Sequence, residues 1–309
     1  MRDSSPDALH ACLSLRRRAF LQTCLGSLAG LSFSPACLRA AGQRLPRLSF
    51  AIISDTHLGY QDKDSAARQF EQLVKEFPQD SRDPVLHLGD IVDGGREAQY
   101  PVYLELKKKL GRPVHEIPGN HDPAEAFARH VREKIDTVVD HHWLRLVLLN
   151  NARRDSHHGF VSEEQVELID RTCREAAGRK QFVAVCMHVP AHSNRHPDRG
   201  WFVQPDDGQR LLYAALDKHR DRVIGLLHGH FHNGLRGWND RGSLLEVCFP
   251  SALYNRDRRL QEQQAPGYNL PEFRPGYTQA TIVEGQVRLA YKPLGAAVEQ
   301  QKSLPLVGA

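Results

Sequence analysis

Once its first forty residues are set aside, this chain has almost no net charge. Of the formal +4, residues 1–40 hold five basic groups (Arg2, Arg16, Arg17, Arg18, Arg39) against two acidic ones (Asp3, Asp7), which leaves the rest near +1. A surface that follows a nucleic-acid backbone needs a basic stripe, and the composition supplies none, so no nucleic-acid partner is expected. Cysteine is equally sparse in pattern. Cys12, Cys24 and Cys37 fall in the same N-terminal segment, while Cys173, Cys186 and Cys248 stand apart without a CxxC spacing. That excludes a disulfide framework and a zinc knot, and leaves three buried thiols. Internal repeats and a separating linker are also missing. With 309 residues, 40% hydrophobic and 25% charged, the economical organisation is one globular domain over 47–294 followed by a loose tail, 295–309.

The basic surplus sits in "SLRRRAFLQTCLGSLAGLSFSPACLRAAG", where an arginine cluster precedes a charge-free run from Ala19 to Leu38. Small residues near Ala40 complete the layout of a secretory signal, expected over residues 1–41. "RRAFLQ" (Arg17 to Gln22) resembles the twin-arginine export motif of bacteria, which implies the export machinery as a partner and a periplasmic or extracellular destination. Gln22, Thr23, Ser27, Ser32, Ser34 and Pro35 dilute the run, so stable membrane insertion is not expected. A retained anchor stays open, since the run approaches the roughly 20 residues that span a bilayer. So does lipid modification at Cys37, although Ser34 stands where a lipobox has leucine.

From Arg47 onward, apolar runs alternate with amphipathic stretches. "RLSFAIISD" (47–55), "PVLHLGD" (84–90), "RPVHEIPGN" (112–120), "WLRLVLLN" (143–150), "KQFVAVCMH" (180–188) and "DRVIGLLHGH" (221–230) read as strands buried on both faces. Ala66, Ala67, Phe70, Leu73, Val74 and Phe77 fall at helical spacing, and Ser162 with Gln165 predicts a capping box opening another helix. Gln209 to His219 reads as a third helix. After "SLLEVCFPSAL" (243–253) and a long polar loop over 255–275, Glu284-Gly285 marks a hairpin turn within 276–294. The order is that of an α/β fold around a sheet core.

Five of the six runs end in residues suited to bind a metal: Asp55 and His57, Asp90, Asn120 and His121, His188, then His230 and His232. The carboxyl ends of strands are where open α/β sheets build their sites. The alternation in "LLHGHFHN" puts three imidazoles on one face of an extended segment, an arrangement that needs something to occupy their nitrogens.

These residues, in this order, resemble the calcineurin-like metallophosphoesterase superfamily, whose pattern is DxH…GD…GNH…H…GHxH. Every element is present between Asp55 and His232. The resemblance implies a four-layer α/β/β/α sandwich of two mixed sheets flanked by helices. It implies that Asp55, His57, Asp90 and His232 hold one metal, and that Asp90 also reaches a second, completed by Asn120, His188 and His230. Two divalent cations against two carboxylates leave a charge of about +2, which suits a phosphate ester. Cations roughly 3.5–4 Å apart can share a bridging hydroxide as nucleophile and hold both oxygens of an in-line displacement. Asp90, a short carboxylate, can span both ions, and mixed Asp/His/Asn ligation without sulfur admits manganese, iron or zinc. His121 follows Asn120 and can protonate the leaving alkoxide as general acid, with Asp122 holding its ring; a structural hydrogen bond in the turn is the alternative.

Other polar residues attract plainer readings. His228 is expected to pack or bond to backbone, and Asp93 to stabilise a turn. His87, His115, His130, His141, His142, His157, His158 and His219 carry no spacing signal. His192, Asn194, Arg195, His196 and Arg199 lie on a polar loop beside His188, where Trp201 either stacks on a base or plugs the loop. Gly94 stands where serine/threonine phosphatases carry arginine, and Asp93 where purple acid phosphatases carry tyrosine. "GNHD" in a compact domain is most similar to the cyclic-nucleotide-phosphodiesterase-like branch. The expected activity is therefore a phosphodiesterase or phosphomonoesterase on a small, nucleotide-like substrate. A non-catalytic metal-binding scaffold and a nuclease are the alternatives.

Overall fold

The computed structural model describes residues 45–306, apart from 63, 79–80, 193–200, 238–243, 256–273 and 298–299. The export segment and Asn194, Arg195, His196 and Arg199 lie outside the described residues. The first half of the chain runs β1 (Leu48–Ile53), α1 (Ser65–Glu76), β2 (Val85–His87), α2 (Tyr100–Lys108), β3 (Val114–Glu116), α3 (Ala124–His130), β4 (Thr137–His141) and β5 (Leu144–Leu148). The second runs α4 (Glu163–Arg179), β6 (Phe182–Cys186), α5 (Gln209–Lys218), β7 (Val223–His228), β8 (Arg236–Gly237), β9 (Leu245–Cys248), β10 (Gly276–Val283), β11 (Gln286–Pro293) and β12 (Gln300–Pro305).

Two six-stranded sheets result, in the orders β12-β11-β10-β1-β2-β3 and β4-β5-β6-β7-β9-β8. Both are mixed. β1, β2 and β3 are parallel while β10 runs antiparallel to β1; β5, β6, β7 and β9 are parallel while β4 and β8 run against them. Strand alternation builds the layers. Leu48, Phe50 and Ile52 of β1 point into a core shared with Leu146, Ala184 and Val247 of the other sheet. Ala51 and Ile53 point the other way, onto Phe70 and Leu73 of α1 and Tyr103 of α2. Val147, Val183 and Leu226 meet Ile169 of α4 and Leu212 of α5. This is the expected four-layer α/β/β/α sandwich. No helix among the described residues is long and apolar enough to cross a membrane.

Local chemistry agrees with several expectations. Ser162 Oγ accepts from Gln165 N–H while the Gln165 side chain accepts from Ser162 N–H, the predicted capping box of α4. Glu284 and Gly285 both have positive φ, 53° and 70°, which matches the right-handed twist of the β10–β11 hairpin. Cys173, Cys186 and Cys248 are buried, as expected. The C-terminal segment differs from the expected loose tail: β12 pairs antiparallel with β11 over Gln286↔Pro305 to Tyr291↔Gln300. "QQKSLP" is too polar to read as a buried strand, but an edge strand needs only to satisfy its neighbour's backbone. α2 and α3, short and weakly patterned, were not expected either.

Candidate metal centre

The carboxyl ends of β1, β2 and β3 of one sheet and β6 and β7 of the other point at a common spot, and each carries one of the motifs. Their backbone is held in an unusual conformation there. Asp55, His57, Asp90, His230 and His232 have φ of 54°, 43°, 52°, 77° and 50°, five of the nine non-glycine residues in this region among those described. Such conformations are unfavourable for L-residues and persist where neighbours over-determine them. Here the ladder continues past the strand ends: Asp55 N–H donates to Gly89 O and His57 N–H to Asp90 O, both at 2.9 Å. The motif glycines allow close approach. A Cβ on Gly119 would collide with Asp90 Oδ1, and one on Gly229 with Ser54 Oγ.

Two groups of side chains form as a result. Asp55, His57, Asp90 and His232 make one and Asp90, His188 and His230 the other, each with donor atoms within 4.8 Å of one another. Asp90 belongs to both. Its Oδ2 lies 3.4 Å from His57 Nε2 and 3.2 Å from His188 Nε2, while His232 Nε2 lies 3.0 Å from Asp55 Oδ1. All six are buried. Asn120, next in the chain to His121, has its Oδ1 buried and without a hydrogen-bond partner.

The electrostatics describe a site built for cations. Burial alone would raise the Asp55 and Asp90 carboxyls, yet the facing imidazoles, His232 and His188 for Asp55, His188 and His57 for Asp90, hold both below the usual carboxylate range. Burial would likewise depress His188, but Asp90 and Asp55 raise it to about 9. His57 and His230 are depressed, with burial the largest cause. His57 Nε2 and His232 Nε2 face each other at 3.1 Å. Two imidazole nitrogens that close, with two carboxylates and a buried amide oxygen that has no hydrogen-bond partner, make a donor set that positive charge would hold together. Divalent cations fit these residues, and the donor set of nitrogen and oxygen without sulfur suits them.

The free nitrogen of each imidazole is set by what the other nitrogen meets. His57 Nδ1 faces Asp93 Oδ1 at 3.2 Å and His188 Nδ1 faces Leu88 O at 2.7 Å, so both turn Nε2 inward. His230 Nε2 faces His157 O at 3.1 Å, which leaves Nδ1 as its donor atom. His121 N–H donates to Asp90 Oδ1 at 2.8 Å, and its partly exposed ring stands edge-on to His57, 4.6 Å away. Asn120 and His121 form part of the wall of an open cavity of about 400 Å³, completed by Gly94, Gly95 and the segment from Arg154 to His157.

Two expectations change. Asp122 does not hold the His121 ring. Its carboxylate turns into the core and accepts from Gly119, Ile91 and Val92 N–H and from the Tyr100 hydroxyl, at 2.9–3.1 Å. Burial, then the charge of Asp90, pushes it up to about 6 against those N–H donors. Adjacency in sequence misled because consecutive residues of this turn face opposite ways. Asp93, expected to stabilise a turn, is the carboxylate at the ring: its Oδ1 lies 3.1 Å from His121 Nδ1 and its Oδ2 pairs with Arg96. His57, Asp93 and His121 thus converge as a third group. His228 meets a side chain, Glu246 Oε1 at 3.3 Å, both fully buried. Trp201 stacks on His157 at 4.0 Å, next to His230. His157 carried no sequence signal because it acts through its carbonyl.

Paired sheets whose strand ends gather carboxylates and imidazoles around two cation-sized groups define a metallophosphoesterase architecture. The chain belongs to the calcineurin-like phosphoesterase family, whose sequence profile matches residues 48–234, more than half of its length. It is similar to the 3',5'-cyclic adenosine monophosphate phosphodiesterase CpdA of Haemophilus influenzae, 27% identical over 211 residues that cover 63% of this chain and 73% of that one. It is also 27% identical over 206 residues to the glycerophosphodiester phosphodiesterase GpdQ of Enterobacter lignolyticus, covering 59% and 70%. Among solved structures, a dimetal phosphatase from Danio rerio superposes with a TM-score of 0.62 at 12% identity, over 84% of this chain and 99% of that one, a likeness of fold.

Proposed function

We propose that this protein hydrolyses small phosphate esters, foremost phosphodiesters of the nucleotide or glycerol kind, with two divalent cations of manganese, iron or zinc. The observation that carries this reading is Asp90, one carboxylate common to two buried donor groups, with His121 beside it at the wall of an open cavity. Asp55, His57, Asp90 and His232 would hold one ion, and Asp90, Asn120, His188 and His230 the other. When bound, the ions supply Lewis acidity and the activated nucleophile for an in-line displacement. The chain does the rest. The Asp90 carboxylate keeps the two groups adjacent, and the carbonyls of Leu88 and His157 with Asp93 fix which imidazole nitrogen faces inward. His121, its Nδ1 turned to Asp93 and Gly94 N–H, has Nε2 left to hand a proton to the leaving oxygen. The near-neutral composition beyond residue 40 favours small substrates over nucleic acid.

The test is a screen of protein reconstituted with manganese, iron or zinc against bis(p-nitrophenyl) phosphate, p-nitrophenyl phosphate, a cyclic nucleotide, a glycerophosphodiester and single-stranded DNA. Turnover of the small diesters without DNA cleavage is expected. A fully metallated protein that hydrolyses none of them would leave a metal-binding scaffold, and preferred cleavage of DNA a nuclease. For residues 1–41 we retain export by the twin-arginine route. Replacing Arg17 and Arg18 by lysine should keep the protein out of the periplasmic fraction, and unchanged export would overturn that reading.

A further inference from the structure

β9 leads into residues 249–255, and this turn is fastened to the metal-binding groups by an unusually dense set of buried contacts. Ser251 Oγ donates to Asp55 O at 2.9 Å and accepts from Leu253 and Tyr254 N–H at 2.9 and 3.1 Å. Asn255 Oδ1 accepts from Ser251 N–H at 2.8 Å and from Gly234 N–H, just past the GHFHN motif, at 3.2 Å. Its Nδ2 donates to Ser251 O and Arg274 O at 3.1 and 2.7 Å. Ser251 and Asn255 are both buried, so these bonds are shielded from water and rigidify the turn.

What the turn presents is the ring of Tyr254. Its centroid lies 4.5 Å from that of His232 and 5.6 Å from that of Tyr60, which in turn stands 6.4 Å from His57. The two tyrosines therefore form one wall against the Asp55, His57, Asp90 and His232 group. Tyr254 is nevertheless 39% exposed, the aromatic member of the three large exposed apolar side chains among the described residues. Val102 and Leu211 are the others, on α2 and α5, and scattered exposures of that kind need no explanation. A partly exposed ring, fixed in place beside the cluster, is a different matter. Trp201, on the opposite flank, already has a face covered by His157.

We propose that Tyr254, backed by Tyr60, is a stacking shoulder for a planar ring carried by the substrate, and so makes the enzyme prefer nucleoside or aryl phosphoesters to aliphatic ones. The proposal rests on the phosphoesterase reading of the cluster and adds the residue that sets its substrate class. Stacking needs the ring and not the hydroxyl.

The experiment compares wild type, Tyr254→Phe and Tyr254→Ala, each metal-reconstituted, on a cyclic nucleotide and on glycerophosphoethanolamine. Calorimetric binding of a nucleoside 5'-monophosphate and of glycerol 3-phosphate provides the second readout. Tyr254→Ala should lower kcat/KM for the nucleotide about ten-fold, through KM, weaken the nucleoside monophosphate by a similar factor, and spare both glycerol compounds. Tyr254→Phe should match wild type. Equal losses on both substrate classes, or a Phe variant as impaired as the Ala variant, would overturn the shoulder. If wild type hydrolysed no phosphoester, the catalytic reading would fall and binding alone would decide. Nucleoside monophosphate binding lost in Tyr254→Ala would then uphold the shoulder; absent or unaltered binding would sink it.

Discussion

The two halves of the proposed metal cluster share Asp90 but are held in different ways. In the half made with Asp55, His57 and His232, the imidazole of His57 is oriented by a carboxylate, Asp93, whose Oδ1 is 3.2 Å from Nδ1. In the half made with His188 and His230, the orienting groups are the backbone carbonyls of Leu88 and His157. A carboxylate raises the basicity of the imidazole it holds more than a carbonyl does. It can also be deleted by a single substitution, whereas a carbonyl can be moved only by moving its strand or loop. One half is thus tuned by a side chain, and the other is fixed by the fold.

The sharpest way to break this comparison is at the residue common to both halves. Asp90→Asn should release both ions and take hydrolysis below detection, read by elemental analysis beside a rate assay; retained metal and rate would mean the halves do not share it. His121→Asn removes no proposed ligand of either half and keeps the backbone N–H that Asp90 accepts from. It should lower kcat on alkyl diesters about 10²–10⁴-fold at unchanged metal content. The effect should shrink on p-nitrophenyl esters, whose leaving group needs no proton. Asp93→Asn should weaken one ion about 10–100-fold and spare the other, measured by chelator competition. Equal loss of both ions would erase the distinction between the halves. The smallest effect belongs to Asp122→Asn, which puts an amide NH₂ against backbone donors. It should cost about 1–3 kcal/mol of stability, seen as a lower Tm, while activity per folded molecule persists.

These variants also mark where sequence reading stopped. All seven proposed ligands were legible because strand ends are geometrically special and each motif sits at one. Asp93 and Asp122 were exchanged because spacing in a turn does not say which way a side chain points. Asp122 is recruited by four donors in the core, and Asp93 by two rings and Arg96. His157 contributes a carbonyl, which every residue possesses, so nothing in its side chain could have flagged it. Tyr60 and Tyr254 lie 194 positions apart and meet only because β1 and β9 lead into the same cluster. β12 was hidden by its polarity.

The central claim is that two cations lie side by side with Asp90 between them. Anomalous diffraction from crystals of metal-reconstituted protein tests it directly. Two peaks per chain, one contacted by Asp55, His57 and His232, one by Asn120, His188 and His230, and both by Asp90, are predicted. A single peak, or peaks away from these seven side chains, would contradict the account.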